Sequence, residues 1–324
     1  MSKEASLAWW SIAARGFVMG AADVVPGVSG GTMALILGIY PRLISSLSLL
    51  NPALIWETLQ AARGSAGRAR ARAALHSADI PFLASLALGI AGAVLSLSRI
   101  IPGLMRAYPE VMNGFFFGLI LASVLIPYRM MQRRGFMEII LFGVGAIVAY
   151  VVTGLGILDV QDSLPFLFLS GAIAICAMLL PGVSGAFLLL ILGQYTRVLD
   201  ALHERNLVIL LVFVAGVVTG LLSFSRVLRY LLDRHRDPTL AGLCGLMVGS
   251  LQKIWPFKIA LAEPVMVGHK VVSDSINVLP SDPRYTGPLL LPLAMTALGF
   301  LAVLVLEQMG RRRAESPQAD EAGN

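Results

Sequence analysis

GAADVVPGVSGGTMALILGIYPRL, residues 20–43, comes back later in the chain as AICAMLLPGVSGAFLLLILGQYTRVL, residues 174–199. Placing Pro26 on Pro181, a shift of 155 (181 − 26), also superposes Leu35-Ile36-Leu37-Gly38 on Leu190-Ile191-Leu192-Gly193, Tyr40 on Tyr195 and Arg42 on Arg197. Eleven of the seventeen positions from Pro26 to Arg42 agree. A long internal repeat fixes architecture before any single residue does. Proline lacks a backbone donor and glycine tolerates unusual dihedrals, so Pro-Gly-Val-Ser-Gly breaks a helix at the same place in each copy.

The surroundings say what kind of chain this is. Of 324 residues, 57% are hydrophobic and 14% charged, and the mean hydropathy is +0.79. That composition belongs to a polytopic membrane protein rather than a soluble domain. The first residues, MSKEASLAWWSIAARG, lack the basic, apolar and small-residue succession of a cleaved signal peptide. Cys176 and Cys244 sit inside apolar segments and read as fillers, not as a disulfide framework. The formal charge of +6 lies in loops, where it reports membrane orientation and contact with anionic lipid rather than nucleic acid.

Six further segments are apolar and close to spanning length: 81–101, 110–127, 136–154, 207–228, 239–257 and 287–306. The repeat continues through them. Ser96-Leu97-Ser98-Arg99 falls on Ser223-Phe224-Ser225-Arg226 at a shift of 127 (226 − 99), and Gly118-Leu119 falls on Gly245-Leu246. The smaller shift leaves extra residues in the first half, around the basic connection Arg63–Arg72. The expected fold is therefore all-α and polytopic. Each half is a broken-helix hairpin followed by two spans: residues 1–135 form the first, 164–257 the second. A linking span (136–163), an external loop with a last span (258–310) and a disordered cytoplasmic tail (311–324) complete the chain.

Lys/Arg-rich short loops stay in the cytoplasm. This places Arg63–Arg72, Arg129/Arg133/Arg134, Arg229/Arg234/Arg236 and Arg311–Arg313 inside, and the Lys258–Thr286 connection outside. The assignment is self-consistent when each motif region enters and leaves on one side and the second half is inverted relative to the first. Inverted repeats are the plan of many secondary transporters. Re-entrant hairpins suit the uncharged Pro-Gly-Val-Ser-Gly turns better than two full spans do.

A Gly-Val-Ser-Gly turn opening a helix presents backbone N–H groups and a hydroxyl to an anion. The candidate binding residues are Gly27, Ser29, Gly30, Gly31 and Thr32 in the first copy, and Gly182, Ser184 and Gly185 in the second. Arg42, Arg197, Arg99 and Arg226 form two related pairs whose guanidinium forks match phosphate oxygens; the competing role for each is to snorkel or anchor at the interface. Asp23 precedes the first break, where the second copy has Met178. An intramembrane carboxylate is either a ligand for a coupling cation, proton or sodium, or a partner for Arg15. The four histidines show no metal-ligand spacing and no nucleophile–base set appears, so the chain does not read as an enzyme and implies no cofactor or metal.

GAADVVPGVSGGTMALILGIYPRLI paired with LPGVSGAFLLLILGQYTRVL resembles the bacterial PopT family of undecaprenyl-phosphate translocases, over roughly residues 9–308. The resemblance implies a transporter of the cytoplasmic membrane that returns undecaprenyl phosphate, the lipid carrier of envelope polymer synthesis, from the outer to the inner leaflet. It points to Pro26–Thr32 and Pro181–Gly185. Pro41 after Tyr40, and the Arg63–Arg72 loop, depart from the expected pattern. The rival classes are an ion-coupled symporter of a small anion and a non-transporting membrane scaffold.

Overall fold

A computed structural model of the chain describes residues 9–25, 29–50, 72–73, 75–98, 100–155, 163–260, 265–267, 270–272 and 275–315. Each half opens on a helix that stops at its motif: α1 (Trp9–Asp23) and α9 (Leu164–Leu179). After each break comes a helix of seven residues, α2 (Gly30–Ile36) or α10 (Gly185–Ile191). A glycine with positive φ (Gly38 at 70°, Gly193 at 69°) ends it, where an L side chain would be strained. A helix of ten residues then follows, α3 (Tyr40–Leu49) or α11 (Gln194–His203). The second hairpin bends by 102° between α10 and α11.

The first half continues through α4 (Ile80–Leu97), α5 (Ile100–Ala107), α6 (Pro109–Ser123), α7 (Leu125–Met130) and α8 (Phe136–Gly154). The second continues through α12 (Leu207–Arg234), α13 (Arg236–Ser250) and α14 (Leu290–Glu315). Five segments are long and apolar enough to cross a membrane, among the described residues: α4, Pro109–Met130, α8, α12 and Leu290–Gln308. Leu88, Leu95, Ile139, Ile147, Leu211 and Leu298 project from them, exposed, as lipid-facing residues do. The expected span 239–257 is shorter than its hydropathy suggests. Its helix, α13, ends at Ser250 and tightens into a 3-10 turn over Leu251–Ile254.

The all-α expectation holds for the body of the molecule. The connection before α14, however, carries β1 (Lys258–Ala260) paired antiparallel with β4 (Ser275–Asn277), and β2 (Val265–Val267) paired with β3 (Lys270–Val272). An aromatic ladder, Phe117 to Trp255 to Phe257 to Tyr285, has ring centroids 5.3, 6.1 and 5.5 Å apart and pins this connection against α6.

Four close helix pairs make the core: α1 with α4, α9 with α12, α6 with α14, and α8 with α13. Small residues let each pair approach to backbone contact. A Cβ on Gly16 would collide with Leu86 O, and one on Gly171 with Phe213 O. Those glycines differ by 155 and their targets by 127, the two shifts of the sequence repeat. Gly89 against Ala13 O and Gly216 against Phe168 O repeat the pattern from the other side.

The same correspondence reaches the two spans that the sequence reading set apart from the repeat. Gly145 of α8 abuts Gly242 O and Gly299 of α14 abuts Phe115 O, so α8 and α14 occupy matching places. Each packs on the opposite half: α8 follows the first half but lies on α13, and α14 follows the second but lies on α6.

Candidate functional site: two interlocked hairpins

Breaking a helix leaves its last carbonyls without intrahelical donors, and Pro181 has no N–H to offer. At the end of α9, the first motif supplies what is missing. The Ser29 hydroxyl donates to Leu180 O at 3.2 Å and the Tyr40 hydroxyl to Leu179 O at 2.9 Å. Gly182, at φ 88°, donates its N–H to Thr32 Oγ1 at 2.9 Å. Ser29, Thr32 and Tyr40 are all buried. Three side chains of one motif thus hold residues 179–182 of the other.

The two motif serines are used differently. Ser184, the counterpart of Ser29, caps its own helix by accepting from Phe187 N at 3.3 Å. Phe187 stands where Thr32 would be. The first motif is also closed on itself. Ser29 Oγ accepts from Gly31 N at 3.1 Å, and Asp23 Oδ1 accepts from Gly30 N at 2.7 Å, bridging the two broken ends. The N–H groups of Gly30, Gly31 and Gly182 and the Ser29 hydroxyl, expected to face an anion, are therefore engaged within the protein, because a buried helix break must satisfy its own polar groups. Gly27 lies outside the described residues; Gly185 opens α10 with its Cα against Ala174 O.

The contacts described for Arg42, Arg197 and Arg226 lie away from the motif turns. Arg42 makes a two-pronged ion pair with Asp79, Nε–Oδ2 2.6 Å and Nη2–Oδ1 3.1 Å, and lies over the Phe82 ring at 4.3 Å. Ser46 Oγ also donates to Asp79 at 3.4 Å. Arg197 donates to Ser163 O at 3.3 Å and to Gln194 Oε1 at 3.1 Å. Arg226 donates to Leu50 O at 2.8 Å, far along α12. Arg99 lies outside the described residues. No group of three His, Cys, Asp or Glu side chains suited to a metal occurs among the described residues.

Residues that sequence reasoning passed over anchor the exchanged spans. Asp237, at the start of α13, accepts from Gln132 N at 3.1 Å and Arg133 N at 2.8 Å, just before α8 begins. Those two N–H groups hold its carboxyl below the usual range. Its counterpart at shift 127 is Glu110, which faces Tyr285 and Gly287 just before α14. Burial and the neighbouring Glu110 push the Tyr285 hydroxyl up to about 12. Gln252 donates to Thr153 Oγ1 at 2.8 Å and to Tyr150 O, tying the end of α13 to the end of α8. The signal for these was the 127 shift, which aligns two acids of different length.

Comparison with known proteins is decisive for family. A family model described as undecaprenyl phosphate translocase-like matches residues 19–270. The chain belongs to that family. A polyprenyl-phosphate transporter of Vibrio cholerae is 46% identical over 250 residues, covering 76% of this chain and 78% of that protein. A polyprenyl-phosphate transporter of Staphylococcus aureus is 31% identical over 268 residues, covering 76% of this chain and 86% of that protein. No solved structure matches. The interlocked hairpins are thus the core of a translocase-like family member, and both motifs lie inside the matched segment.

Proposed function

We propose that this chain is a polyprenyl-phosphate transporter that carries undecaprenyl phosphate from the outer to the cytoplasmic leaflet of the bacterial inner membrane. The observation that carries the reading is membership of the translocase-like family together with 46% identity to a protein named for that activity. It is a multi-pass membrane protein, and its chemistry is movement rather than bond making.

Inversion of the halves has geometric support. The two acids mark the same, starting end of matching helices, and those starts lie on opposite faces. Asp237 and the Arg129–Glu307 ion pair (2.9 Å) bring the start of α13, the link before α8 and the far part of α14 to one face. That face gathers three of the basic segments assigned to the cytoplasm. Glu110, Gln252 and the strand-bearing connection gather at the other. α6 runs toward the basic face while its counterpart α13 runs away from it. In this arrangement both termini lie inside.

A phosphomonoester carries close to two negative charges, so its passage through hydrocarbon needs protein dipoles and cations along the way. The polyprenyl tail stays in lipid throughout, avoiding exposure to water. The headgroup passes beside the paired hairpins, with Arg42 and Arg197 at their margins, while the two halves rock. Asp23, holding the first break together, is the position where a coupling proton or sodium ion would be sensed. An ion-coupled anion symporter and a scaffold remain the alternatives that the experiment excludes. Purified protein is reconstituted in liposomes containing undecaprenyl phosphate and scored for leaflet exchange with and without proton or sodium gradients. Exchange above protein-free liposomes is expected. Exchange at the protein-free rate under every gradient would sink the transporter reading.

A further inference from the structure

α12 has 28 residues; at about 1.5 Å per residue it is roughly 42 Å long, against a hydrocarbon core of about 30 Å. Its apolar part begins at Leu207, so about twenty residues on, near Arg226, the helix reaches headgroup level. There, between α12 and the end of α3, lies an open cleft of about 250 Å³ lined by Ser48, Arg226, Arg229, Tyr230 and Asp233. Arg226 Nη2 donates to Leu50 O at 2.8 Å and Arg229 Nη1 to Ser48 Oγ at 3.1 Å. The Arg229–Asp233 contact is long, 3.5 Å, with the carboxylate two-thirds exposed. Each guanidinium has five donors, so these bonds leave other N–H donors on two groups that both line the cleft. Two guanidiniums against one carboxylate leave a net positive charge. A tyrosine hydroxyl and a serine stand beside them.

The counterpart positions at shift 127 are Arg99, Pro102, Gly103 and Arg106, so the tyrosine and the second arginine of the pair have no equivalents in the first half. In sequence, this residue set occurs in the second half and not at the matching positions of the first. The cleft sits on the face where Arg129, Arg133 and Arg236 gather. We propose that this cleft is a docking site for a phosphomonoester headgroup at the membrane surface, the station the transported lipid occupies on the basic face of the protein. The inference rests on the transporter reading for the identity of the lipid, and on its own geometry for the chemistry: paired guanidinium forks recognise a terminal phosphate with several free oxygens better than a phosphodiester.

The test is equilibrium binding of labelled undecaprenyl phosphate to the full chain in detergent, with inorganic phosphate and phosphatidylglycerol as separate competitors. Arg229→Gln should weaken binding at least tenfold, with Arg229→Lys between it and wild type. Asp233→Asn removes an exposed carboxylate and should tighten binding several-fold. Competition by inorganic phosphate at millimolar concentration, with none from phosphatidylglycerol, supports a phosphomonoester site, and its concentration dependence separates free phosphate from lipid headgroup as the preferred source. Equal competition by phosphatidylglycerol overturns the assigned chemistry. Unchanged binding in both Arg229→Gln and Asp233→Asn overturns the site. Leaflet exchange by wild type is scored separately: exchange with binding indifferent to the cleft removes this inference alone, whereas binding that responds to the cleft without exchange removes the transporter reading alone.

Discussion

The two hairpins share a pentapeptide and matching helix lengths, yet they are seated differently. α3 packs along α12 of the opposite half, while among the described residues α11, its counterpart, makes no comparable contact with α4 or α5. Ser48 is 8% exposed beneath Arg229, whereas His203, the equivalent residue 155 positions later, is exposed. Repetition of sequence has therefore not produced repetition of environment. Under the transport proposed above, such a difference is what one of two alternating arrangements would look like, with one hairpin latched and the other released.

The comparison breaks most severely if the shared scaffold fails, so the largest effect is expected at the helix pairs. Gly118→Leu and Gly245→Leu each drive a side chain into a backbone carbonyl, of Thr296 and Phe142. A backbone cannot move aside as a side chain can, so each should cost more than the roughly 1–3 kcal/mol of ordinary overpacking. Monodisperse yield in detergent should collapse for both. Gly143→Leu, where a Cβ meets nothing within 4 Å, should behave as wild type. Similar losses at Gly118 and Gly245 sharpen the equivalence of the halves; tolerance at either would refute the packing assigned to it.

Next comes the grip of the first motif on the second. Thr32→Val deprives the buried Gly182 N–H of its acceptor, and Ser29→Ala strips a donor from Leu180 O and an acceptor from Gly31 N. An orphaned buried group costs about 1–3 kcal/mol. Ser184→Ala removes only a cap, typically about 1 kcal/mol. Thermal unfolding in detergent should rank Ser29→Ala below Ser184→Ala, and equal losses would mean that the two serines are used alike. The hydroxyl of Ser29 is thereby assigned to stability before it is assigned to phosphate.

Much of this was legible in the chain. The doubled Pro-Gly-Val-Ser-Gly and the two shifts pointed to the breaks and to most of the spans. What was not legible follows from how contacts form. That Ser29, Thr32 and Tyr40 reach residues 179–182 depends on two segments 150 residues apart meeting in space, and no local pattern encodes it. The anion reading of the turns overlooked that a buried break consumes its own donors. The partner of Arg42, Asp79, sits in the left-handed region at φ 53° beside the basic connection, where nothing in the sequence marks it as a pair. The exchanged placement of α8 and α14 was foreshadowed by Gly145 and Gly299, but two glycines in apolar runs carry too little information alone.

A smaller effect separates the equivalent arginines. Arg42 is held by Asp79, with side-chain exposures of 18% and 31%, whereas the contacts described for Arg197 include the Ser163 carbonyl and the Gln194 amide oxygen. Asp79→Asn should weaken the first hairpin by up to about 1.5–3 kcal/mol, the range for hydrogen bonds to charged groups, less what solvent screening of the partly exposed pair removes. Ser163→Ala should leave Arg197 in place, since it uses the backbone carbonyl. Limited proteolysis under native conditions reports the difference: faster cleavage in Asp79→Asn and an unchanged rate in Ser163→Ala. Matching rates would put the two arginines in the same role.

The smallest effect is also the most direct reading of the asymmetry. In a background with Cys176 and Cys244 replaced by alanine, Ser48→Cys and His203→Cys place thiols at equivalent positions of the two hairpins. The first lies under Arg229 against α12 and the second is open, so a membrane-impermeant maleimide applied to solubilised protein should label position 203 several-fold faster. Two arrangements built from like halves differ in energy only through their non-identical residues, which allows both to be populated and shifted by a ligand that prefers one. Adding undecaprenyl phosphate should then move the two rates in opposite directions, because latching one hairpin and releasing the other are the same event. Rates that are equal without ligand would show that the hairpins are seated alike. Rates that move together on adding lipid would show that the hairpins open independently, and a rocking exchange between halves could not then carry the headgroup across.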